Sequence, residues 1–305
     1  MSGKNVTEVR LADAAGIAEA ARILESGGLV AVPTETVYGL AARADSAEAV
    51  AKIYAAKGRP DFNPLIVHVA GLEQAERYAD FSPEAVALAA AHWPGPLTLV
   101  VPRRAEAGLA EAVTAGLPTI ALRAPAHPVM QALLAAADFP LAAPSANRSG
   151  FISPTSADHV LASLDGRIDL VLDGGPTSAG VESTIVAVRA NGRVEELRPG
   201  PLAIGEQGEG KALEAPGQLA SHYAPGKPVR LNAAWAETDE FLIGFGAVGG
   251  DCTLSASGDV NEAAARLYAA LHEAARAPQP RIAVAPVPDE GVGRAINDRL
   301  RRAAA

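Results

Sequence analysis

The sequence predicts an α/β protein with two domains, a larger one built on a twisted mixed β-sheet with helices and a small C-terminal one. Short apolar runs and amphipathic segments alternate irregularly, which favours a mixed sheet over a purely parallel one. The 305 residues exceed the usual size of a single domain. Proline and glycine become dense after about residue 199. We therefore predict a domain over 1–200, a linker or lid at 201–228 and a second domain over 229–305.

Apolar periodicity and turn residues predict the helices and strands of the first domain. One apolar face, followed by the Gly27-Gly28 pair, predicts a helix over 13–27. Ser46 is a typical N-cap for a second helix that ends near Lys57. Continuing along the chain, we predict helices at 83–92 and 128–137 and strands at 29–32, 65–69, 97–101, 119–123, 168–173 and 183–188.

The C-terminal segment shows the same alternation on a smaller scale. Apolar runs predict strands at 228–231, 241–245 and 281–287. A long amphipathic stretch predicts a helix over 260–275, and residues 293–302 could form a last helix that closes the unit. These elements indicate a small α/β domain.

Composition and charge restrict the classes of function. No apolar run approaches the roughly 20 residues of a membrane span, and the N-terminus lacks the features of a signal peptide, so we expect a cytoplasmic protein without a membrane segment. The single Cys252 excludes a disulfide framework and a multi-cysteine metal site. The net charge of −9 argues against a large nucleic-acid footprint. It still allows a local basic cleft formed by Lys57, Arg59, Arg123 and Arg198.

Two polar, turn-forming motifs are each attached to an apolar run near the N-terminus. They read P-T-E-T-V-Y-G-L at 33–40 and K-G-R-P-D-F-N-P-L at 57–65. Lys57 and Arg59 place two cations within three residues, and Asn63 adds an amide, a combination that suits an anionic ligand such as a polyphosphate. The sequence contains neither G-x-x-x-x-G-K-[ST] nor G-x-G-x-x-G after a strand, so an ATP site here would use neither familiar phosphate loop.

Taken singly, several polar residues have a simpler structural explanation. Glu35 and Glu182 are more often caps or solvated turn carboxylates, and His68 within L-I-V-H-V is more often a core histidine. Ser145 and Asn147 could satisfy backbone groups of a turn. No G-x-S-x-G elbow is present, which makes the serines poor candidates for a nucleophile. The scattered histidines lack metal-ligand spacing.

Seven polar motifs follow one another along the chain: P-T-E-T-V-Y-G-L, K-G-R-P-x-x-N-P-L, W-P-G-P-L-T, the strand ending in Arg123, A-P-S-A-N, G-V-E-S-T-I and L-R-P-G. Taken together and in this order, they resemble the YrdC-type threonylcarbamoyl-AMP synthases. H-Y-A-P at 222–225, followed by a small α/β unit, resembles the longer two-domain form of that family. The resemblance implies a YrdC-like fold for the first domain and a Rossmann-like fold for the second.

Members of this family join L-threonine, bicarbonate or CO₂, and ATP into threonylcarbamoyl-AMP and release pyrophosphate. A partner enzyme then transfers the threonylcarbamoyl group to adenosine 37 of tRNA. The resemblance therefore implies a nucleotidyltransferase of tRNA modification, with Mg²⁺ accompanying ATP and a tRNA threonylcarbamoyl transferase complex acting downstream. It leaves open a weak contact with tRNA itself.

The resemblance also assigns site residues, and it implies no metal ligand from the protein. Lys57 and Arg59 are expected to be catalytic, and Glu35 is expected to be structural or metal-adjacent. The implied threonine site comprises Thr36, His68, Arg123, the backbone at Ala143, and Ser183. The implied ATP site comprises Lys57, Arg59, Asn63, Thr119, Ser145, Ser153, Arg198 and Tyr223.

We expect catalysis by positioning and electrostatic stabilisation, without a covalent protein intermediate. The segment 199–228 is the candidate lid, with Tyr223 reaching the nucleotide.

Two alternatives remain open at the level of sequence. The first is an RNA-binding module without ATP turnover, and the second is a carbamoyl-transfer domain like the one inside larger hydrogenase-maturation enzymes.

Overall fold

A computed structural model describes residues 6–208, 214–217 and 222–305 of the chain. The predicted linker at 201–228 is described only in part, because residues 209–213 and 218–221 of that prediction lie outside the described residues. The domain boundaries themselves stay a prediction.

Within the described residues, eleven strands form one large sheet in the order β1-β8-β2-β3-β7-β4-β6-β5-β9-β10-β11. Neighbouring strands run both ways: β4 and β6 are parallel, whereas β5 and β6 are antiparallel. The predicted mixed sheet is thus confirmed. The strands are β1 (Glu8–Leu11), β2 (Val30–Val32), β3 (Gly39–Arg43), β4 (Ile66–His68), β5 (Leu97–Pro102), β6 (Thr119–Arg123), β7 (Leu141–Ala142), β8 (Leu170–Asp173), β9 (Thr184–Val188), β10 (Val194–Arg198) and β11 (Glu206–Gln207).

Most helices of this domain begin at a side-chain cap. The hydroxyl of Ser46 accepts a hydrogen bond from the Ala49 amide, so the predicted cap of the second helix is confirmed. That helix ends at Gly58, whose φ of +59° lies in the left-handed region that glycine tolerates. The helices are α1 (Ala14–Glu25), α2 (Ala47–Lys57), α3 (Leu72–Ala75), α4 (Pro83–His92), α5 (Pro128–Ala137) and α6 (Ala157–Leu164), with a 3₁₀ turn at Glu111–Val113.

The C-terminal domain is a parallel sheet with two helices, which confirms the predicted small Rossmann-like unit. Its strand order is β12-β15-β13-β14, and all three neighbouring pairs are parallel. The apolar core of this domain extends into the rest of the chain, because Val37, Val181 and Tyr223 pack within it. The elements are β12 (Val229–Arg230), β13 (Glu240–Gly244), β14 (Cys252–Thr253), α7 (Val260–Arg276), β15 (Arg281–Val284) and α8 (Gly293–Ala303).

Several elements of the first domain were not predicted. All four residues of β1 are exposed, so the sequence there has no buried alternation to detect. Strand β3 reads G-L-A-A-R, and glycine and alanine have low strand propensity. Helix α6 has only 8 residues, although Ser156 caps it at His159. Strand β10 pairs with β9 through a register shift between Glu196 and Arg198, which breaks a simple alternation.

One edge of the large sheet brings the chemically important residues together. Strands β4 and β6 are parallel and in register, with His68 opposite Arg123 at their C-terminal ends. Strands β5 and β9 begin at the same edge, with Leu97 opposite Thr184. Loops that follow or precede strand ends at one edge commonly form ligand sites in α/β proteins.

Candidate active site

A cavity at this edge is lined by most of the predicted site residues. Its volume of about 50 Å³ is small beside the roughly 300–1,000 Å³ of typical ligand sites. Pro216, Gly217 and His222 also line it, and these residues belong to the predicted linker. The predicted site residues that line the cavity are Thr36, Arg59, His68, Arg123, Ala143, Ser145, Ser183, Arg198 and Tyr223.

The remaining predicted residues lie behind the lining or away from it. Ser153 is fully buried behind the lining, and its hydroxyl donates to Glu182 at 2.6 Å. Lys57 and Asn63 are buried next to lining residues: Lys57 Nζ donates to the Ser145 carbonyl oxygen, and the Asn63 carbonyl oxygen accepts from Arg59. Thr119 begins β6, at the end opposite Arg123, and the structure does not bring it to this cavity.

Arg123 is held in place from two sides. Its Nη1 donates to the Thr36 hydroxyl at 3.0 Å and its Nη2 to Glu35 at 2.6 Å. Glu35 also accepts from the Ala126 amide at 3.1 Å. Burial alone would raise the pKa of Glu35, but the charge and hydrogen bond of Arg123 lower it below its ordinary value. Glu35 therefore has a structural role here, as a fixed anion that orients a guanidinium toward the cavity.

His68 presents an unpaired nitrogen in the same part of the cavity. Its Nδ1 is buried and has no hydrogen-bond partner in the described part of the chain. Burial, with a smaller contribution from Arg123, lowers the pKa of His68 to about 3. The imidazole is therefore neutral at neutral pH and can accept a hydrogen bond from a ligand.

Three buried cations lie on the other side of the cavity, Arg59 and Arg198 in its lining and Lys57 behind it, and each donates to carbonyl oxygens. Arg59 donates to Asn63 at 3.1 Å and to Pro64 at 2.8 Å. Arg198 donates to the Ser183 carbonyl at 2.8 Å and to Pro216 at 3.3 Å. Among the described residues, no carboxylate forms a salt bridge with these arginines or with Lys57.

Burial has a large effect on these cations. It lowers the pKa of Lys57 well below its ordinary value and that of Arg59 to about 10, with mutual repulsion adding to the shift of Lys57. Burial also lowers the pKa of Arg198. Buried positive charge without a bound anion is costly, so this side of the cavity favours a polyanionic ligand.

Glu182 lines the cavity as well, although no site role was predicted for it. Burial would raise the pKa of Glu182, but Arg299 and Arg198, with hydrogen bonds from Ser153 and Tyr268, lower it to about 2. A carboxylate this acidic is a poor proton acceptor, so it serves as a fixed negative charge. The G-V-E-S-T-I motif marked the loop, but two of the partners of Glu182, Tyr268 and Arg299, lie 86 and 117 residues further along the chain.

Two family models match the chain, and together they span most of it. The model described as telomere recombination matches residues 22–200. The model described as threonylcarbamoyl-AMP synthase, C-terminal domain, matches residues 185–305. No helix in the described part of the chain is long and apolar enough to cross a membrane.

Two relatives with substantial sequence identity match nearly the whole length of this chain. The chain is 42% identical to the threonylcarbamoyl-AMP synthase of Bacillus subtilis, over 94% of this chain and 92% of that protein. It is 40% identical to the threonylcarbamoyl-AMP synthase of Pyrococcus abyssi, over 93% and 92% of the two chains.

Solved structures agree with the sequence matches. The crystal structure of P. abyssi Sua5 complexed with L-threonine is similar with a TM-score of 0.88 and 37% identity, over 98% of this chain and 97% of that chain. Full-length HypF matches 60% of this chain with 28% of its own, at 24% identity and a TM-score of 0.54, which shows a shared fold alone. The chain therefore belongs to the threonylcarbamoyl-AMP synthase family, in the two-domain form that includes the C-terminal domain.

Proposed function

We propose that this enzyme is an L-threonylcarbamoyladenylate synthase, which forms threonylcarbamoyl-AMP and pyrophosphate from L-threonine, bicarbonate or CO₂, and ATP. One observation carries the proposal: a single cavity combines an oriented Arg123–Thr36–His68 group with two buried arginines, Arg59 and Arg198, that form no salt bridge with any carboxylate of the described residues. The first group suits a small amino acid and the second suits a polyphosphate. The names of the relatives support the same assignment.

The threonine side of the cavity would be formed by Thr36, His68, Arg123, Ala143 and Ser183. Arg123 would bind the threonine carboxylate, since a guanidinium fork offers parallel N–H donors to carboxylate oxygens. The neutral His68 imidazole would accept from the substrate amine or hydroxyl. A P. abyssi relative crystallised with L-threonine supports this assignment.

The ATP side would use the buried cations and nearby neutral donors. Lys57, Arg59 and Arg198 would offset the triphosphate charge, and Lys57 and Arg59 lie where they could stabilise charge that develops on transfer. Ser145 and Ser153 add hydroxyls, and Tyr223 adds a ring. Thr119 lies outside the cavity, so it would contact ATP only if part of the nucleotide extended beyond the cavity.

Mg²⁺ would accompany ATP rather than occupy a site built by the protein. No group of three or more His, Cys, Asp or Glu side chains in the described residues could hold a metal, and Glu35 and Glu182 are paired with arginines. The side-chain oxygens of Asn63 and Asn147 are buried without hydrogen-bond partners, and Mg²⁺ accepts amide oxygens as ligands. These residues fit an ion held mainly by phosphates. When bound, Mg²⁺ neutralises phosphate charge in the transition state.

The reaction needs no protein nucleophile. The threonine nitrogen would bond to the carbon of CO₂ and lose a proton, which gives N-carboxy-threonine. With bicarbonate as the source, that proton leaves with the bicarbonate hydroxide as water. A carboxylate oxygen of this intermediate would then attack the α-phosphorus, and the bond to the β-phosphate oxygen would break as pyrophosphate leaves. The protein would position both substrates and stabilise the developing charge.

The segment that carries Pro216, Gly217, His222 and Tyr223 would act as the lid. Its residues line the small cavity in this structure, which we take as the closed position of the segment, and the segment would have to move before ATP could enter. Closure would exclude water from N-carboxy-threonine, which decomposes rapidly in water. The predicted lid role of 199–228 remains a proposal.

Pyrophosphate release tests this function. The protein would be incubated with ATP, Mg²⁺, L-threonine and bicarbonate, and then with each substrate omitted in turn. We expect release only with the full set, and much less with L-serine, which lacks the methyl group. Release that is unchanged without threonine would overturn the assignment.

Transfer of the product to tRNA by a partner complex in the cytoplasm belongs to the same proposal. The net charge of −9 and the burial of Lys57, Arg59 and Arg198 give less support to an RNA-binding module. Salt-dependent tRNA binding without ATP turnover would favour that alternative.

A further inference from the structure

The C-terminal domain contacts the cavity through one buried carboxylate. Glu182 lines the cavity at the end of the β8–β9 loop and is 6% exposed. The Tyr268 hydroxyl on α7 donates to its Oε2 at 2.8 Å, and Arg299 Nε on α8 donates to the same oxygen at 3.0 Å. On the other side, Ser153 donates to Oε1 at 2.6 Å. The carboxylate therefore connects two C-terminal residues to a residue of the proposed ATP site.

Arg299 is a fully buried arginine with contacts on several sides. It is 0% exposed, and Asp298 accepts from its Nη1 at 2.8 Å. Its Nη2 has no hydrogen-bond partner among the described residues. Its guanidinium carbon lies 5.5 Å from the centroid of the Tyr223 ring, within the range of a cation–π interaction. The arginine thus touches both Glu182 and the proposed lid.

Tyr223 needs such support because its backbone is strained. Its φ of +65° lies in the left-handed region, which a bulky L-residue avoids unless the surroundings hold it there. The Tyr268 ring lies 5.6 Å from the Tyr223 ring, and the His222 amide donates to the carbonyl oxygen of Arg302 at 3.2 Å. Many of the contacts that hold residues 222–224 therefore come from α7 and α8.

The loop that carries Glu182 also has a second contact with α7. A Cβ atom at Gly180 would lie 2.2 Å from the carbonyl oxygen of Ala264, so the two backbones approach as closely as glycine allows. The φ of Gly180 is +70°, which also favours glycine. This close approach sets the distance between the loop and α7 independently of the hydrogen bonds to Glu182.

We propose that Arg299 and Tyr268 are positioning residues for the reaction, which hold Glu182 and the Tyr223 ring and so set the closed position of residues 222–224 over the ATP side of the cavity. The inference rests on the proposed function, because it assigns the C-terminal domain a part in the same reaction. In the hydrogen bonds of the described residues, neither side chain is joined to Thr36, His68, Arg123 or Ser183. Their removal should therefore affect the use of ATP and leave threonine binding intact.

The test compares variants of the full-length protein. Tyr268→Phe removes one hydroxyl, Arg299→Met removes the charge at similar length, and Arg299→Lys restores the charge without the planar fork. Arg301→Met is the matched control, since Arg301 lies on the same helix and is exposed. Three quantities would be measured: threonine-dependent pyrophosphate release over a range of ATP concentrations, the calorimetric Kd for threonine, and hydrogen exchange of the Ala224 amide, which donates to Gly150 at 2.8 Å.

We expect Tyr268→Phe and Arg299→Met to lower kcat/KM for ATP about tenfold or more, the factor expected when a hydrogen bond to a charged group is lost. The Ala224 amide should exchange faster by a similar factor. The Kd for threonine should stay within about twofold, Arg299→Lys should recover part of the activity, and Arg301→Met should match the wild type.

Two results would overturn the inference. One is wild-type kinetics and exchange in Tyr268→Phe. The other is a parallel loss of threonine binding and activity, which would show general destabilisation. If the wild-type protein releases no pyrophosphate, the proposed function fails instead, while the exchange of Ala224 still tests the positioning.

Discussion

Single residues in the cavity show how this protein handles buried charge. The pair Arg123–Glu35 is a salt bridge of 2.6 Å with side chains 5% and 14% exposed, so each charge compensates for the burial of the other. Among the described residues, Lys57, Arg59 and Arg198 instead form no salt bridge and donate mainly to carbonyl oxygens, and the nearby charge of Glu182 also stabilises Arg198. The salt bridge orients the Arg123 guanidinium, whereas the three cations leave positive charge available for a ligand.

Removal of one of these cations should weaken the use of ATP. We predict that Arg59→Ala raises KM for ATP or lowers kcat by roughly 10- to 100-fold, because a charged contact with phosphate oxygens is lost. Arg104→Ala is the control, since Arg104 forms an exposed ion pair with Asp80. Steady-state kinetics with saturating threonine would measure both. Wild-type parameters for Arg59→Ala would refute the ATP assignment of this residue.

At the scale of elements, the site residues lie at the ends of helices and strands. Helix α2 brings Lys57 to its last turn, and the chain reverses at Gly58 into the K-G-R-P loop. Strands β4 and β6 end together at His68 and Arg123. A change in the turn at Gly58 or in the register of β4 and β6 would therefore displace a side chain of the site.

The turn at Gly58 permits a sharp test of backbone strain. Open space surrounds both Gly58 and Gly71, and they differ in φ: +59° for Gly58 and the extended 177° for Gly71. We predict that Gly58→Ala lowers the free energy of unfolding by about 1 kcal/mol, whereas Gly71→Ala changes it little. Thermal unfolding of both variants would measure the difference. Equal midpoints would show that the left-handed turn carries no strain.

Sequence patterns predicted the elements that have strong local signals. The cap at Ser46 and the strand 119–123 are examples, because a single side chain or a short apolar run determines each. The partners of Glu182 could not be predicted in this way. They depend on how α7 and α8 pack against the β8–β9 loop, and no local pattern encodes that contact.

At the scale of the whole molecule, the two domains share a core around the linker. Val37, Val181 and Tyr223 pack with Leu267, Tyr268 and other residues of the C-terminal domain. The second domain is thus attached through an apolar contact and the buried Glu182–Arg299 pair. This attachment is the reason to expect that the domains act as one unit in the reaction.

Truncation tests whether the reaction needs this unit. We predict that a chain ending at Gly200 loses threonine-dependent pyrophosphate release, because the proposed lid and its support are both absent. Circular dichroism and threonine calorimetry would show whether the shortened domain remains folded. Full activity of a folded truncated chain would rule out the lid role of 199–228.

The domain contact should also weaken in acid. His159 on α6 and His272 on α7 stack with ring centroids 3.9 Å apart. Burial, with help from Arg276 for His159 and from His159 for His272, lowers their pKa values to about 4 and about 3. Between the ordinary pKa of about 6.5 and these values, the unfolded chain binds protons that the folded chain cannot, so stability falls as pH falls.

A double variant isolates this effect. His159→Phe with His272→Phe keeps two stacked rings but cannot titrate. Between pH 7 and pH 5, we expect the wild type to lose more stability than the variant, on the order of 1 kcal/mol for each histidine. Thermal midpoints across this range would measure the difference. Identical pH profiles would contradict the assignment of the shift to this pair.

In the proposed reaction, one cavity joins threonine, a one-carbon unit and AMP. Mass spectrometry of the reaction product would test this, with ¹³C-labelled bicarbonate, ATP, Mg²⁺ and L-threonine in the mixture. We expect an adduct with the mass of threonylcarbamoyl-AMP that carries one ¹³C atom and is absent when threonine is omitted. Formation of threonyl-AMP without the label, or hydrolysis of ATP without any adduct, would contradict it.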